Sequence, residues 1–277
     1  MSGDPRFRFG RNWRSFLDHH LHASAAAEAQ RSLAEFLAPA TLAGRTFLDI
    51  GCGSGLFSLA AQRLRASRVV SFDIDADSVA CCRELREREG APATWEVSEG
   101  SILDAAFVAR LAPADVVYSW GVLHHTGRMW DAVRAAGRLV APGGQFYLAL
   151  YNKVEGWGLH SDGRFGPSSF WAWEKRWYNR LPGGLQRALQ LAALGTMVVT
   201  YMLRFEGPLG EFRKRRARPR GMSLEVDIRD WLGGYPYEAA RPCEVFAFCH
   251  EELGLDLVRM KTTDTLHNNE FLFQRRP

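Results

Sequence analysis

No stretch of this 277-residue sequence is apolar for long enough to cross a bilayer. Met1 to Arg14 is polar, basic and aromatic and lacks the apolar centre of a secretion signal, so a cytoplasmic protein is expected. Cysteine is sparse. Cys52, Cys81, Cys82, Cys243 and Cys249 form no C-x-x-C pair, which excludes the usual zinc spacings and leaves reduced thiols as the simplest reading. His19, His20 and His22 have no partners at ligand spacing, so no metal is expected. A large excess of one charge is missing too: the net charge of +4 does not by itself argue for nucleic acid. No internal repeat is evident. What is present is 47% hydrophobic and 24% charged residues, the balance of a globular chain. The length suits one large α/β domain, or such a domain with a sizeable insertion.

The chain is organised around Leu48-Asp49-Ile50-Gly51-Cys52-Gly53-Ser54-Gly55-Leu56-Phe57. Apolar residues lead in from Phe47 and a helical pattern leads out, which reads as a buried strand, a glycine turn and a helix start. Glycine is needed where backbone turns with positive φ, or where a ligand lies against main chain. The helix start behind the turn offers unpaired N–H groups and positive potential, which suits a nucleoside or a carboxylate. Strands then alternate with helices: strands near 46–49, 68–72, 94–98, 115–119 and 145–151, and helices near 55–64, 76–88, 105–111 and 129–140. Asp75 and Asp104 read as helix N-caps. The alternation implies right-handed crossovers and a mostly parallel sheet. Asp73 ends the second strand 18 residues after Gly55, where ligands lie in a doubly wound sheet.

These residues resemble the class I S-adenosylmethionine-dependent methyltransferases. The acid Asp49 precedes glycines spaced G-x-G-x-G, whereas a dinucleotide fingerprint reads G-x-G-x-x-G. Pro142-Gly143-Gly144 before the fifth strand is a second point of resemblance. The family implies a doubly wound, seven-stranded, mostly parallel α/β sheet whose last strand is antiparallel. It also implies S-adenosyl-L-methionine as cofactor. Carried onto this chain, the cofactor positions are Asp49, Gly51, Cys52, Gly53, Gly55, Asp73, Ile74, Ser101, Ile102, Ser119 and Trp120. Asp73 is the expected ribose ligand, and Ser101 and Ile102 match the adenine positions. In the family the loop after the fourth strand faces the substrate, here Gly121 to Thr126 with the pair His124-His125. An imidazole there can take a proton from an attacking hydroxyl or amine near neutral pH, so His125, with His124 as rival, is the catalytic candidate. The competing reading has one histidine packing and the other capping a helix. Arg11, Asn12 and Trp13 either close over the site or pack as an aromatic staple. Tyr151 and Asn152 are expected to line the acceptor pocket with Trp13.

The pattern departs from a minimal domain after the fifth strand. A helix at 243–253 and strands at 255–262 and 269–274 complete the sheet, so residues 152–241 form a large inserted lid, rich in tryptophan, tyrosine and arginine. The expected organisation is an arm over 1–40, a cofactor domain over 41–151 and 242–277, and a substrate-binding lid over 152–241. The lid includes Trp157, Trp171, Trp173 and Trp177, then an apolar helix over 186–205. That helix docks on its own lid or at a homodimer contact; a membrane surface is the other reading. Arg213 to Arg220 reads as a solvated loop, with an anionic substrate or RNA as the sharper reading. The leading expectation is an enzyme methylating a small-molecule acceptor. An RNA or protein methyltransferase is the alternative, although Ser119-Trp120-Gly121-Val122 stands where an Asn/Asp-Pro-Pro-Tyr/Phe signature would be. A non-catalytic cofactor-binding protein on the same fold is the third reading.

Overall fold

The computed structural model describes residues 10, 13, 23–37, 42–155, 167–203, 228 and 231–277. Arg11, Asn12, Trp157, Arg213 to Arg220 and most of the loop from Gly221 to Asp230 lie outside these described residues. Seven strands form the sheet: β1 (Thr46–Ile50), β2 (Arg68–Asp73), β3 (Trp95–Glu99), β4 (Ala114–Trp120), β5 (Val140–Tyr151), β6 (Leu255–Lys261) and β7 (Asn268–Arg275). The helices between and before them are α1 (Ala23–Phe36), α2 (Leu56–Arg63), α3 (Ala76–Arg88), α4 (Ala105–Val108) and α5 (Met129–Arg138). After β5 come α6 (Ser168–Tyr178), α7 (Gly183–Leu203) and α8 (Pro242–Ala247). The sheet order is β3-β2-β1-β4-β5-β7-β6. Strands β1 to β5 pair in parallel, and β7 runs antiparallel to both β5 and β6. The order reverses between β1 and β4, which opens a crevice at their carboxyl ends.

The core lies on both faces of the sheet. Leu33, Leu59 and Leu85 of α1 to α3 cover one face with Phe47, Trp95, Tyr118 and Tyr147. Phe107, Val133 and Val245 of α4, α5 and α8 cover the other with Leu48, Phe72, Phe146 and Phe271. Burial on both sides explains why β4 and β5 read as nearly unbroken apolar runs. In α5 the buried positions are Met129, Ala132, Val133, Ala136 and Gly137, the i, i+3, i+4 stripe of a helix with one face inward. Asp75 accepts from the Asp77 N–H, and Asp104 from the Ala106 and Phe107 N–H groups, so both cap helices as their sequence positions imply.

Three elements differ from the sequence reading. The turn Pro142-Gly143-Gly144 lies inside β5: the register jumps from Ala114↔Val140 to Val116↔Gln145, a bulge with extra residues on the β5 side. Gly144 is required there, because a Cβ would sit 2.8 Å from the Ala141 carbonyl and 3.0 Å from that of Asp115. Helix α4 stops at Val108, since Pro113 disfavours helix before it and the chain must enter β4 at Ala114. The last helix widens after Ala247 into a π turn over Phe248–Glu252, which keeps Cys249 and Leu253 buried. Among the described residues no helix is long and apolar enough to cross a membrane.

Candidate active site

The glycine turn joins β1 to α2 with all three glycines at positive φ: Gly51 +72°, Gly53 +53° and Gly55 +82°. Each also meets a different neighbour. A Cβ on Gly51 would reach Val122 at 2.3 Å, one on Gly53 the Trp13 ring at 2.8 Å, and one on Gly55 the Cys82 Sγ at 2.7 Å. The turn is thus clasped by the loop after β4, by the N-terminal arm and by α3. The Gly51 and Cys52 N–H groups donate to the Phe72 carbonyl, pinning the turn to β2. The buried Cys52 thiol shares a hydrogen bond with the Cys82 thiol, and that bond and its burial hold its pKa well above the ordinary range.

Asp49 is 2% exposed. Ser58 Oγ donates to its carboxylate at 2.5 Å. Since that hydroxyl is committed, Ser71 donates to Ser58 Oγ at 2.7 Å, and Trp95 Nε1 donates to Ser71 Oγ at 2.9 Å. A one-way chain of donors therefore runs from β3 through β2 and α2 and ends on Asp49. Burial pushes the Asp49 carboxyl up to about 7; the Ser58 hydrogen bond opposes the rise and the charge of Asp73 adds to it. These bonds anchor Asp49 beneath the turn.

Asp73 stands at the end of β2. Its carboxylate accepts from the Gly53 N–H at 3.0 Å and the Asp75 N–H at 2.9 Å. Two acceptances leave further lone-pair sites on the two oxygens. Burial raises its pKa to about 6 against the pull of these backbone donors. Next to it Ile74 is 59% exposed, an apolar side chain with open surface beside an acid. Ile102, which matches an adenine position, packs with Phe72 and Phe107. Ser101 Oγ accepts from the Leu103 N–H, and buried Ser119 donates to the Ile50 carbonyl, so both brace the backbone. Trp120 packs, half-buried, against the core on the α1–α3 side. Gly10 donates to Asp75 at 3.0 Å, which brings the arm carrying Trp13 across the turn.

His124 and His125 form a single 3₁₀ turn beyond β4. The Tyr151 N–H donates to His124 Nδ1 at 3.2 Å, so the proton of that ring sits on Nε2. His125 Nδ1 lies 2.7 Å from the Pro236 carbonyl, which only accepts, so its proton sits on Nδ1 and Nε2 holds the lone pair. The rings meet edge-on at 4.4 Å, and Tyr151 lies 4.0 Å from His124. Burial first, and the charge of Lys175 last, lower His125 to about 4 and His124 well below its ordinary value. Tyr237 packs at a tilt on Tyr151 at 5.1 Å, and buried Lys175 of α6 donates to the Trp231 carbonyl. Main-chain bonds from Glu238 to His124 and from Ala240 to Tyr151 stitch this segment to the ends of β4 and β5. Asn152 donates to the Thr263 and Thr265 carbonyls and accepts from Asn269. Those bonds tie the end of β5 to the β6–β7 corner.

A family model described as a methyltransferase domain matches residues 48–146. The chain carries a methyltransferase domain over residues 48–146. A ubiquinone biosynthesis O-methyltransferase from Methylobacterium sp. (strain 4-46) is 33% identical over 118 residues, 43% of this chain and 45% of that protein. A ribosomal protein L11 methyltransferase from Vibrio campbellii is 37% identical over 84 residues, 28% of each chain. The chain thus spans less than half the length of these curated relatives. Among solved structures, magnesium protoporphyrin IX methyltransferase from Synechocystis PCC 6803 with bound SAH has a TM-score of 0.53 at 14% identity, covering 96% of this chain and 93% of that one. That likeness is one of fold.

The residues of this methyltransferase domain fit the family's cofactor, S-adenosylmethionine. A side chain on any glycine of the turn would strike Val122, the Trp13 ring or Cys82 and push the turn out of shape. Asp73 has lone pairs left for two ribose hydroxyls, and Ile74 offers exposed apolar surface for a base. In the sequence Trp231, Pro236 and Tyr237 stand out as part of a glycine-aromatic loop shaped for contact with the core, whereas Lys175 goes unnoticed. The visible signal was an ionic pair inside the aromatic run Ser169-Phe170-Trp171-Ala172-Trp173-Glu174-Lys175-Arg176-Trp177, but no motif tied it to the histidines.

Proposed function

We propose that this protein transfers the methyl group of S-adenosylmethionine to a small-molecule acceptor bound between the His124–His125 turn and the 231–240 segment. The observation that carries the reading is the stitched cover: Glu238 and Ala240 bond to the ends of β4 and β5 beside a neutral histidine pair. In this reading the cover keeps bulk water from the transfer and suits a compact acceptor. Bound S-adenosylmethionine supplies an electrophilic methyl on a sulfonium. The chain's own part is to align the nucleophile and to take its proton.

In this reading the glycine turn and Asp73 hold the nucleoside, and Trp13 closes over Gly53. His125 Nε2 is the basic atom in its tautomer and takes the proton of a hydroxyl or amine as transfer proceeds. Tyr151 and Tyr237 provide the aromatic wall. The lid comprises α6, α7 and the 231–240 segment. The five cysteines are free thiols, which supports a reducing, cytoplasmic setting. The test follows S-adenosylhomocysteine release with a low-mass metabolite fraction, with RNA and with protein as separate acceptors. Release with the low-mass fraction alone is expected; release only with RNA or protein overturns the small-molecule reading.

A further inference from the structure

We propose that a cavity at the amino ends of β1 to β4 binds a small organic phosphate, a phosphate monoester with an apolar body, at a site apart from the methyl-transfer centre. The cavity holds about 550 Å³ and is lined by Thr46, Arg68, Trp95 and Ala114, the first residues of β1, β2, β3 and β4. The glycine turn follows the other end of β1, so the two sites lie at opposite ends of the sheet. Pockets for small ligands span roughly 300–1,000 Å³, and this volume falls inside that range. The cavity has a local origin. The connection from β3 to β4 carries only the single turn of α4, whose Phe107 packs edge-on against Phe72 near the carboxyl end of β2. Toward the amino ends the chain over 111–113 lines the cavity in place of a helix, and Val70 of β2 stays half-buried.

The lining charges define the ligand. Arg68, Arg83, Arg86 and Arg110 face Glu87 and Glu96, a surplus of two positive charges. Arg68 is committed to Glu96 by bonds of 2.9 and 3.1 Å. Arg86 donates to the Trp95 carbonyl at 2.5 Å and to the Pro92 carbonyl at 3.2 Å. Those bonds cover β3, the edge of the sheet, against an added strand and favour a small ligand over a peptide. Arg83 and Arg110 donate to no carbonyl or carboxylate of the described residues; the Arg110 guanidinium only lies over the Phe107 ring at 5.6 Å. The surplus equals the charge of a phosphate monoester dianion, and a guanidinium fork grips two phosphate oxygens at once. Half-buried Val70 and Val97 offer apolar surface to the body of the ester. This site stands independently of the methyl-transfer reading.

The test uses the full chain, saturated with S-adenosylhomocysteine to fill the cofactor site, and phenyl phosphate as the probe. Calorimetry is expected to show one phenyl phosphate bound, at least about tenfold tighter than inorganic phosphate, which has no apolar body, or benzyl alcohol, which has no charge. Replacing Arg83→Gln and Arg110→Gln together is expected to weaken it at least about tenfold at unchanged S-adenosylhomocysteine affinity. Arg138→Gln, outside the cavity, is expected to change nothing. Methyl resonances of Val70 and Val97 are expected to shift with the probe, while those of Val122 beside the glycine turn stay in place. Absence of binding, binding indifferent to Arg83 and Arg110, or shifts confined to Val122 overturns the proposal. Benzoate binding as tightly as phenyl phosphate overturns the phosphate assignment. An RNA oligomer held through Arg83 and Arg110 when phenyl phosphate is not would make the patch a nucleic-acid contact and overturn it too. Should the double variant unfold, the methyl shifts of the wild-type chain decide. Should S-adenosylhomocysteine fail to bind, the methyl-transfer reading fails alone, and the same comparisons without it still decide this one.

Discussion

Asp49→Asn tests the buried donor chain beneath the glycine turn. The folded protein holds this carboxyl at about 7 against an ordinary 3.8, with burial as the main cause. The folded state therefore binds the proton more tightly than the unfolded chain does. Between about pH 4 and pH 7 stability should fall as pH rises, and it should level off once the carboxyl is ionised in both states. At about 1.36 kcal/mol per pH unit, the gap corresponds to roughly 4 kcal/mol as an upper bound. Relaxation of the site in the charged form reduces that, so about 1–4 kcal/mol is expected. Asparagine keeps an oxygen for the Ser58 hydroxyl and never ionises. The buried histidines contribute with the opposite sign, since their lowered pKa values make acid destabilising. The variant and the wild type share that term, so their difference isolates Asp49. Urea unfolding at pH 4.5 and pH 8 is the assay: the variant's advantage should be larger at pH 8. Equal differences at the two pH values would refute the assigned burial cost.

Other expectations follow from the same geometry. Gly53→Ala combines a positive φ with a Cβ 2.8 Å from the Trp13 ring, so S-adenosylhomocysteine affinity measured by calorimetry should drop at least tenfold with the fold intact by circular dichroism. His125→Ala should lower turnover about 10²–10⁴-fold at nearly unchanged cofactor affinity. The acid limb of a kcat profile that belongs to His125 should lie near pH 4, where its imidazole protonates, and not near neutrality; a limb at pH 6.5 lost in the variant would contradict its burial. Asp75→Ala removes the α3 cap and the Gly10 contact, so thermal unfolding should register a loss of about 1 kcal/mol.

Local chemistry made much of the fold legible. The glycine spacing, the acid at the end of β2 and the Asp75 and Asp104 caps all act within a few residues, so their meaning is carried by short stretches. The bulge of β5 was hidden because Pro142-Gly143-Gly144 looks like a turn until β4 and β7 pair on either side of it. Contacts between distant segments were hidden for the same reason. Asn152 reads as a polar residue at a strand end, and only the Thr263–Asn269 corner shows its bonds already taken. Ile74 and Ile102 are alike in sequence, and burial alone separates the exposed one from the core one. The tautomers of His124 and His125 depend on Tyr151 and Pro236, and Pro236 lies 111 residues further on.

In the proposed function S-adenosylmethionine is held by the glycine turn, with Asp73 as its ribose ligand. Calorimetry of S-adenosylhomocysteine binding to the wild-type chain and to Asp73→Ala, each at pH 7.5 and pH 5, tests it most directly. Two hydrogen bonds to a charged group at roughly 1.5–3 kcal/mol each predict a loss of at least about 10²-fold at pH 7.5. Because the carboxyl titrates at about 6 and the ribose hydroxyls donate to its ionised form, wild-type affinity should also weaken about tenfold at pH 5 while the variant stays flat. An affinity within threefold of wild type in Asp73→Ala, at either pH, would contradict the claim.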